Sequence, residues 1–363
     1  MRPCQSSRRT LTVARMRVLL RALAASAAFA LVLASTLAVA AETDSDGDGV
    51  PDSIESATQR SVAASASGDE LNISSRLVSA SLEDQFDVSY KSGEFRVRYD
   101  LTGGGSSEFD LEFRNIVEWF DTNGNGQIDD GDQIAVTTPL GSTAFGDIPV
   151  NRSESSNADG GRVFTFLVRS KTNEITLRLT IAQRFMRLTN DRVLTPMEMK
   201  MDITINHVFV TEGASVGVEM RLDTGDDVEY GDSSWDDAHG FAMGDGAVSV
   251  SSGSADQAAT TFFSWSKTAL ADGTRIPVTL TSTQREPDSY DLYLAYPLES
   301  PQTRVTILHD PTLGVESAVY NIIVGTPPPL QADLVLYAGS LAAIALLLGL
   351  TIVFANRRRK REE

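Results

Sequence analysis

Residues 94–101 read EFRVRYDL, and this stretch decides the fold class. Its apolar side chains occupy every second position: Phe95, Val97, Tyr99 and Leu101. In an extended strand, alternate side chains point to opposite faces, so this pattern makes one face apolar and the other charged. A helix would need apolar residues three or four positions apart. The stretch therefore predicts a β-strand with one buried face.

The same alternation recurs along the chain, at Ile175, Leu177, Leu179 and Ile181, at Ile203 and Ile205, at Val216, Val218, Met220 and Leu222, and at Tyr290, Leu292 and Leu294. Clusters of Gly, Asn, Asp and Pro separate these segments, and no helical pattern of ordinary length lies between them. We expect an all-β chain that forms an antiparallel β-sandwich over 84–325. That length is large for one sandwich, so a division near the acidic stretch 223–246 is left open.

Both ends of the chain predict export and anchoring. Residues 1–40 have a basic start, an apolar core and a small-x-small cleavage site at Ala38-Val39-Ala40, as in a signal peptide. The uncharged run 334–355 has 22 residues and would rise about 33 Å as a helix, enough to cross a bilayer. Basic residues follow it directly, which places the tail 356–363 in the cytoplasm. We expect a single-pass cell-membrane protein with its N-terminal ectodomain outside. Whether this C-terminal helix is retained or removed by processing is left open.

Two further segments have compositions typical of connections. Residues 56–83 are small, polar and weakly patterned, and we interpret them as a linker. Residues 326–333, TPPPLQAD, predict a stiff Pro-rich stalk before the membrane. The one cysteine, Cys4, lies in the signal region. The exported part therefore has no disulfide and needs a large core, a metal ion or both for its stability.

The charge is strongly acidic, with 31 Lys and Arg against 49 Asp and Glu. Between the two ends the imbalance grows to 20 basic against 47 acidic residues, a net charge of −27. Such a surface repels nucleic acid and attracts cations. We therefore expect no nucleic-acid partner.

Residues 121–132, DTNGNGQIDDGD, have the spacing of a calcium loop. An EF-hand loop needs oxygen ligands at positions 1, 3, 5, 9 and 12, a backbone carbonyl at 7 and glycine at 6. The side-chain positions fall on Asp121, Asn123, Asn125, Asp129 and Asp132, the carbonyl on Gln127 and the glycine on Gly126. Over these twelve residues the chain resembles EF-hand and dockerin-like calcium loops. It departs from them in having Asp at position 12 and strands at both flanks, so we expect a strand–loop–strand site.

A second match lies within 42–55, near the start of the exported part. The sequence DSDGDGVPDSIE at 44–55 puts the ligand positions on Asp44, Asp46, Asp48, the carbonyl of Val50, Asp52 and Glu55. It resembles thrombospondin type 3 calcium repeats. Pro51 has no N–H to join a twin loop, and the two loops start 77 residues apart, so each loop should bind calcium alone. The alternative for both loops is a solvated turn, because Asp, Asn and Gly also favour turns.

Signals of catalysis are scarce. The sequence has no GxSxG, HExxH or phosphate-binding loop, and its histidines are His207, His239 and His309. We interpret these histidines as strand or loop residues, name no catalytic residue and expect no enzyme. A third acidic stretch lacks the spacing of a calcium loop and favours a solvated linker: Asp223, Asp226, Asp227, Glu229, Asp232, Asp236 and Asp237.

Together these patterns predict a calcium-binding, membrane-anchored surface protein. Its β-sandwich ectodomain would do structural, adhesive or ligand-binding work with an extracellular partner that the sequence does not identify. Two alternatives stay open. One is a calcium-stabilised surface hydrolase directed at polysaccharide, and the other is an architectural component of the envelope.

Overall fold

The structure is a computed structural model that describes residues 45, 52–79, 82–157, 160–188, 193–232, 246–252, 259–298 and 302–319. Four predicted segments lie outside these residues: the signal peptide 1–40, the stalk 326–333, the apolar run 334–355 and the tail 356–363. Within the described part of the chain, no helix is both long and apolar enough to span a membrane.

Antiparallel β-strands dominate the described residues, which confirms the predicted all-β class. Two short helices accompany them, α1 (Asp52–Ala57) and α2 (Gly141–Phe145). Sheet A contains β1 (Gln59–Ser67), β2 (Glu70–Ser79), β3 (Leu82–Lys91), β4 (Glu94–Leu101), β5 (Ser106–Phe120), β6 (Gln133–Pro139), β13 (Ser215–Asp223), β19 (Thr279–Glu286) and β20 (Ser289–Tyr296). Its order is β1-β2-β3-β4-β5-β13-β20-β19, and β6 pairs with the end of β5.

Sheet B is built around its longest strand, β12 (Glu198–Val208). Its other strands are β7 (Asn151–Ser156), β8 (Arg162–Arg169), β9 (Ile175–Ala182), β14 (Asp227–Asp232), β15 (Gly246–Ser252), β16 (Ala259–Trp265), β17 (Thr268–Ala271), β18 (Thr274–Pro277), β21 (Arg304–His309) and β22 (Thr312–Val315). One side of β12 continues through β9 and β8 to β7. On its other side, β22 leads to β16, β15 and β14, and β21 leads to β17 and β18. A separate small pair joins β10 (Met186–Arg187) to β11 (Val193–Leu194).

The alternating residues explain why the two sheets pack together. Phe95, Val97 and Tyr99 of β4 are fully buried, as the pattern predicts. They belong to one apolar cluster that includes residues of both sheets, such as Phe263 of β16. Burying a large apolar side chain contributes about 1.5–3 kcal/mol, so this shared core dominates the stability. Two sheets around one core is the arrangement of a β-sandwich.

Short hairpins connect the first four strands of sheet A. Between β3 and β4 the turn is Ser92-Gly93, and both residues have positive φ, at 52° and 94°. Two positive φ values match a type I′ turn, whose twist suits an antiparallel pair. A Cβ on Gly93 would lie 2.8 Å from the ring of Phe145, so glycine is required there for space as well as for conformation.

The linker predicted for 56–83 is wrong. Residues 59–79 form the hairpin β1–β2, and these two strands begin sheet A. Leu71, Ile73 and Leu77 of β2 face the core. The pattern is weak in the sequence because small residues such as Ala64 and Ser75 fill other inward positions and reduce the contrast between the two faces.

The strands do not divide near 223–246. Strands from either side of that stretch are neighbours in both sheets, since β13 pairs with β20 and β12 pairs with β21. The described residues therefore form one body, and its main apolar cluster contains residues of both sheets. Residues 233–245 of the stretch lie outside the described part of the chain.

Candidate calcium loop

The loop 121–132 joins two paired strands, as expected from its flanks. Strand β5 ends at Phe120 and β6 begins at Gln133, and these two residues face each other in the antiparallel pair. The strand–loop–strand prediction is confirmed. The loop therefore has its two ends fixed by a sheet, where an EF-hand has two helices.

At the start of the loop, one carboxylate organises the backbone. Asp121 accepts hydrogen bonds from the N–H groups of Gly124 at 2.7 Å, Asn125 at 3.2 Å and Gly126 at 2.8 Å. Gly126 has a φ of 72°, a conformation that favours glycine. The chain therefore turns sharply at position 6 and curls around the Asp121 carboxylate.

At the end of the loop, a second carboxylate reaches back to the beginning. Asp132 accepts the N–H of Thr122 at 2.9 Å through one oxygen, and the N–H of Asp129 at 3.2 Å through the other. These bonds bring the last position of the loop beside the first. The loop is closed as a ring of oxygen-bearing side chains.

The middle positions interact with each other. The side-chain amides of Asn123 and Asn125 donate to Asp129, at 3.1 Å and 2.8 Å. The N–H of Gly131 and these two amides lower the pKa of Asp129, because they stabilise its ionised form. A cation at the centre of the ring would have to compete with these two amide contacts.

The loop rests on the outer face of sheet A. Ile128, at position 8, is buried against Val117, Trp119 and Ala295. A Cβ on Gly217 would lie 2.5 Å from Cδ1 of Ile128 and 3.1 Å from the carbonyl oxygen of Leu294. Gly217 therefore leaves the space that Ile128 occupies.

Two threonines from a distant part of the chain support the same segment. Thr279 Oγ1 donates to the carbonyl of Gly126 at 2.6 Å, and Thr281 Oγ1 donates to that of Ile128 at 2.5 Å. Neither threonine could be predicted to contact the loop, because no motif in the sequence near them indicates it.

The second motif is mostly outside the described residues, including Asp44, Asp46, Asp48 and Val50. Its described members have different partners. Asp52 accepts from the backbone and hydroxyl of Ser45, at 2.8 and 2.6 Å, whereas Glu55 pairs with Arg60 at 2.5 Å. Asp52 and Glu55 thus bond to different described residues.

The acidic, histidine and cysteine side chains that the structure describes do not by themselves form a metal-binding cluster, and this includes the three aspartates of the loop, Asp121, Asp129 and Asp132. Within the described part of the chain, no group of three or more such side chains stands close enough to hold a metal ion. In the loop 121–132, the predicted donors also include two asparagines and a backbone carbonyl.

Below the loop, on the inner face of sheet A, His207 lies between two carboxylates. Its Nε2 is 2.9 Å from Glu118 and its Nδ1 is 2.6 Å from Glu174. Glu118 is fully buried and also accepts the N–H groups of Val210 and Thr211. Burial opposes the charge on each group, but these bonds outweigh it, so the pKa of His207 is raised and that of Glu118 is lowered. Both ring nitrogens are occupied, which suits a structural histidine.

His309 is also buried, beside Tyr296 and Ser266. Its Nδ1 lies 3.0 Å from the Tyr296 hydroxyl, and its Nε2 lies 2.8 Å from the Ser266 carbonyl. Burial lowers the pKa of His309 to about 4, so the ring is neutral at ordinary pH. A neutral ring can donate to the carbonyl and accept from the hydroxyl at once. Both described histidines therefore have structural partners, and His239 lies outside the described residues.

Three depressions differ in how they combine aromatic residues with carboxylates. A cleft of 290 Å³ has Tyr230 and Trp265 in its lining, without an Asp or Glu. A depression of 570 Å³ is lined by Glu108, Asp110, Asp223, Asp226 and Asp288, without a Trp or Tyr. A third, adjoining depression of 560 Å³ combines Asp226, Asp227, Glu229 and Asp288 with a single aromatic side chain, that of Tyr290. One aromatic side chain is fewer than the aromatic walls expected of a polysaccharide hydrolase.

Comparisons with known proteins leave the family of the chain unassigned. Its function therefore has to be inferred from its own residues and their geometry. No protein-family model matches the chain, and a search of curated proteins finds no match either.

Proposed function

We propose that this chain is a calcium-binding cell-surface protein whose β-sandwich ectodomain is anchored to the membrane by residues 334–355. The closed ring 121–132 carries the proposal. In it, the carboxylates of Asp121 and Asp132 are both tied to the first turn of the loop by backbone N–H groups. This arrangement supports a structural or adhesive role, because calcium would hold the loop and the sheet together.

The donor set fits calcium. All six donors are oxygens of carboxylates, amides and one carbonyl: Asp121, Asn123, Asn125, Gln127, Asp129 and Asp132. Calcium accepts six to eight oxygen ligands in flexible geometry, whereas magnesium requires a tight octahedron. The shorter Asp132 in place of Glu gives fewer or longer bonds, which is typical of weak extracellular sites with Kd about 10⁻⁴–10⁻³ M.

Calcium would act on stability. A Kd of about 10⁻⁴ M in millimolar calcium corresponds to about 1.4 kcal/mol of added stability. The ion would neutralise carboxylates that now repel each other across the ring. Because the loop also contacts β19 and β20, this stabilisation would extend from the β5–β6 hairpin to the edge of sheet A.

The motif 44–55 is the second proposed calcium loop. Binding there would require Glu55 to exchange Arg60 for the ion, which makes this site the weaker of the two. For the alternative of a polysaccharide hydrolase, the one described depression that combines several carboxylates with a tyrosine contains only Tyr290 as an aromatic wall.

Thermal unfolding of the full-length protein in a mild detergent tests the proposal. We expect a higher Tm in millimolar calcium than in EGTA, and we expect Asp121→Ala to abolish that difference. Asp130→Ala is the matched control, since Asp130 lies in the same loop but at no ligand position. An identical Tm of the parent in calcium and in EGTA would show that the loop is only a turn.

A further inference from the structure

The outer face of sheet B carries a continuous row of outward side chains across six strands. In register they are Arg169 of β8, Thr176 of β9, Thr204 of β12, Leu308 of β21, Leu270 of β17 and Arg275 of β18. Strands lie about 4.8 Å apart, so this row is about 24 Å long. We call the outer surface of these six strands the arginine face.

Apolar residues are exposed on the arginine face. Leu270 and Leu308 are adjacent in the row and are 40% and 47% exposed. Val208, on β12 beside Arg304, is 63% exposed. Single exposed apolar residues are ordinary, but a group of neighbouring ones on one sheet face is typical of a contact surface.

Four exposed arginines surround these apolar residues: Arg169, Arg178, Arg275 and Arg304. None of the four forms an ion pair with any residue that the structure describes. Asp202 faces Arg178 across the strand pair, but its carboxylate bonds to Lys200. The arginine face is therefore a positive area on a strongly acidic chain.

The outer face of sheet A is different. Each of its basic side chains has a carboxylate partner among the described residues, in the pairs Arg76–Glu83, Lys91–Glu70, Arg96–Asp110, Arg98–Asp100, Arg114–Glu112, Arg221–Asp291 and Arg285–Asp291. Because acidic residues are in such excess, a basic side chain on the surface readily finds a carboxylate partner. Four unpaired arginines on one face of sheet B point to an acidic partner outside the fold.

The chain itself carries a matching surface. Asp223, Asp226, Asp227, Glu229 and Asp288 line two adjoining depressions of 570 and 560 Å³. None of these five carboxylates has an ion pair with a described residue. We call them the acidic patch. Because this patch is on different strands from the arginine face, one copy can present each surface to another copy.

We propose that the arginine face binds the acidic patch of a second copy of this chain. Such a contact joins unlike surfaces, so it leaves one of each free and allows further copies to add. A polysaccharide is a poorer fit, since the outward positions of the arginine face have no aromatic side chain for a sugar ring to stack on. This inference goes beyond the proposed function and does not depend on calcium.

Sedimentation velocity of the full-length protein in a mild detergent tests this contact by charge exchange. We expect concentration-dependent self-association that weakens at high salt. The variants Arg275→Glu with Arg304→Glu, and Asp226→Lys with Asp288→Lys, should each weaken it about tenfold, because each reverses two charge pairs. An equimolar mixture of the two variants should associate again. Arg76→Glu is the control on sheet A and should associate like the parent.

Three outcomes would overturn the proposal. The parent could stay monomeric at all concentrations, the arginine variant could associate as tightly as the parent, or the mixture could fail to recover. Binding of polyglutamate or anionic vesicles by a monomeric parent would assign the arginine face to another acidic partner. Thermal unfolding of each variant checks that it keeps the parent's fold.

Discussion

The end of β5 places two polar structures on opposite faces of sheet A. Glu118 points inward, where it contacts His207, and both of these side chains are buried. Trp119 points outward and is covered by the loop 121–132. Two adjacent residues of the chain therefore belong to two polar sites, of which one is buried and the other is exposed to solvent.

The comparison shows how burial decides what polar groups can do. A buried carboxylate has to be fully hydrogen-bonded, and Glu118 meets this condition with His207, Val210 and Thr211. Carboxylates in the exposed loop are screened by water, so they can remain close without neutralising partners. The inner network thus supports the fold, and the outer loop can respond to a cation.

The largest effect is expected from Glu118→Ala. The substitution leaves His207 and two backbone N–H groups without their buried partner, which should cost about 3–5 kcal/mol of unfolding free energy. Denaturant unfolding at neutral pH measures it. Glu112→Ala, on the exposed outer face of the same strand, should change stability by less than about 0.5 kcal/mol. Equal losses in the two variants would contradict the distinction between the faces.

A smaller loss is expected from Gly217→Val. The new side chain would occupy the space of Ile128 and separate the loop from sheet A, at a cost of about 1–3 kcal/mol. Chemical denaturation measures this cost, and calcium titration should show weaker binding as well. Gly225→Val is the matched control, because a Cβ there meets no atom within 4 Å. Unchanged calcium affinity in Gly217→Val would mean that the packing of Ile128 against Gly217 does not determine the conformation of the loop.

The double substitution Thr279→Val and Thr281→Val should lower the affinity for calcium more than it lowers the stability of the fold. It removes the two hydroxyls that hold the carbonyls of Gly126 and Ile128. Since each hydrogen bond contributes about 1 kcal/mol, we expect calcium affinity to fall about three- to tenfold. Isothermal titration calorimetry measures this, with Thr283→Val on the same strand as the control. An unchanged Kd would show that β19 does not support the calcium-binding conformation of the loop.

The smallest effect is a pH dependence of the inner network. The pKa of His207 is raised in the fold, so its contribution is complete below about 6.5, the unfolded value, and is lost as pH rises through the folded value. The stability difference between the parent and His207→Gln should therefore shrink from pH 6 to more alkaline pH, by about 1.4 kcal/mol per pKa unit. Denaturant unfolding across that range measures it. A stability difference between the parent and His207→Gln that grows with pH would contradict the raised pKa of His207.

Several features could be predicted because they depend on neighbouring residues. The alternation at Phe95, Val97 and Tyr99 predicted strands, and the loop spacing from Asp121 to Asp132 predicted a ring between strands. The hairpin β1–β2 escaped prediction, since inward positions such as Ala64 and Ser75 look like surface residues in the sequence. Periodicity can be recognised only where the two faces differ in polarity.

The sequence by itself determined the all-β class, the placing of the loop between strands and the excess of acidic charge. Only the tertiary structure decided which distant residues meet: Thr281 with Ile128, Glu118 with His207, and the leucines and arginines of sheet B in one row. The physical reason is sheet topology. Local patterns specify which face of a strand is buried, but strand order and register decide which side chains share that face.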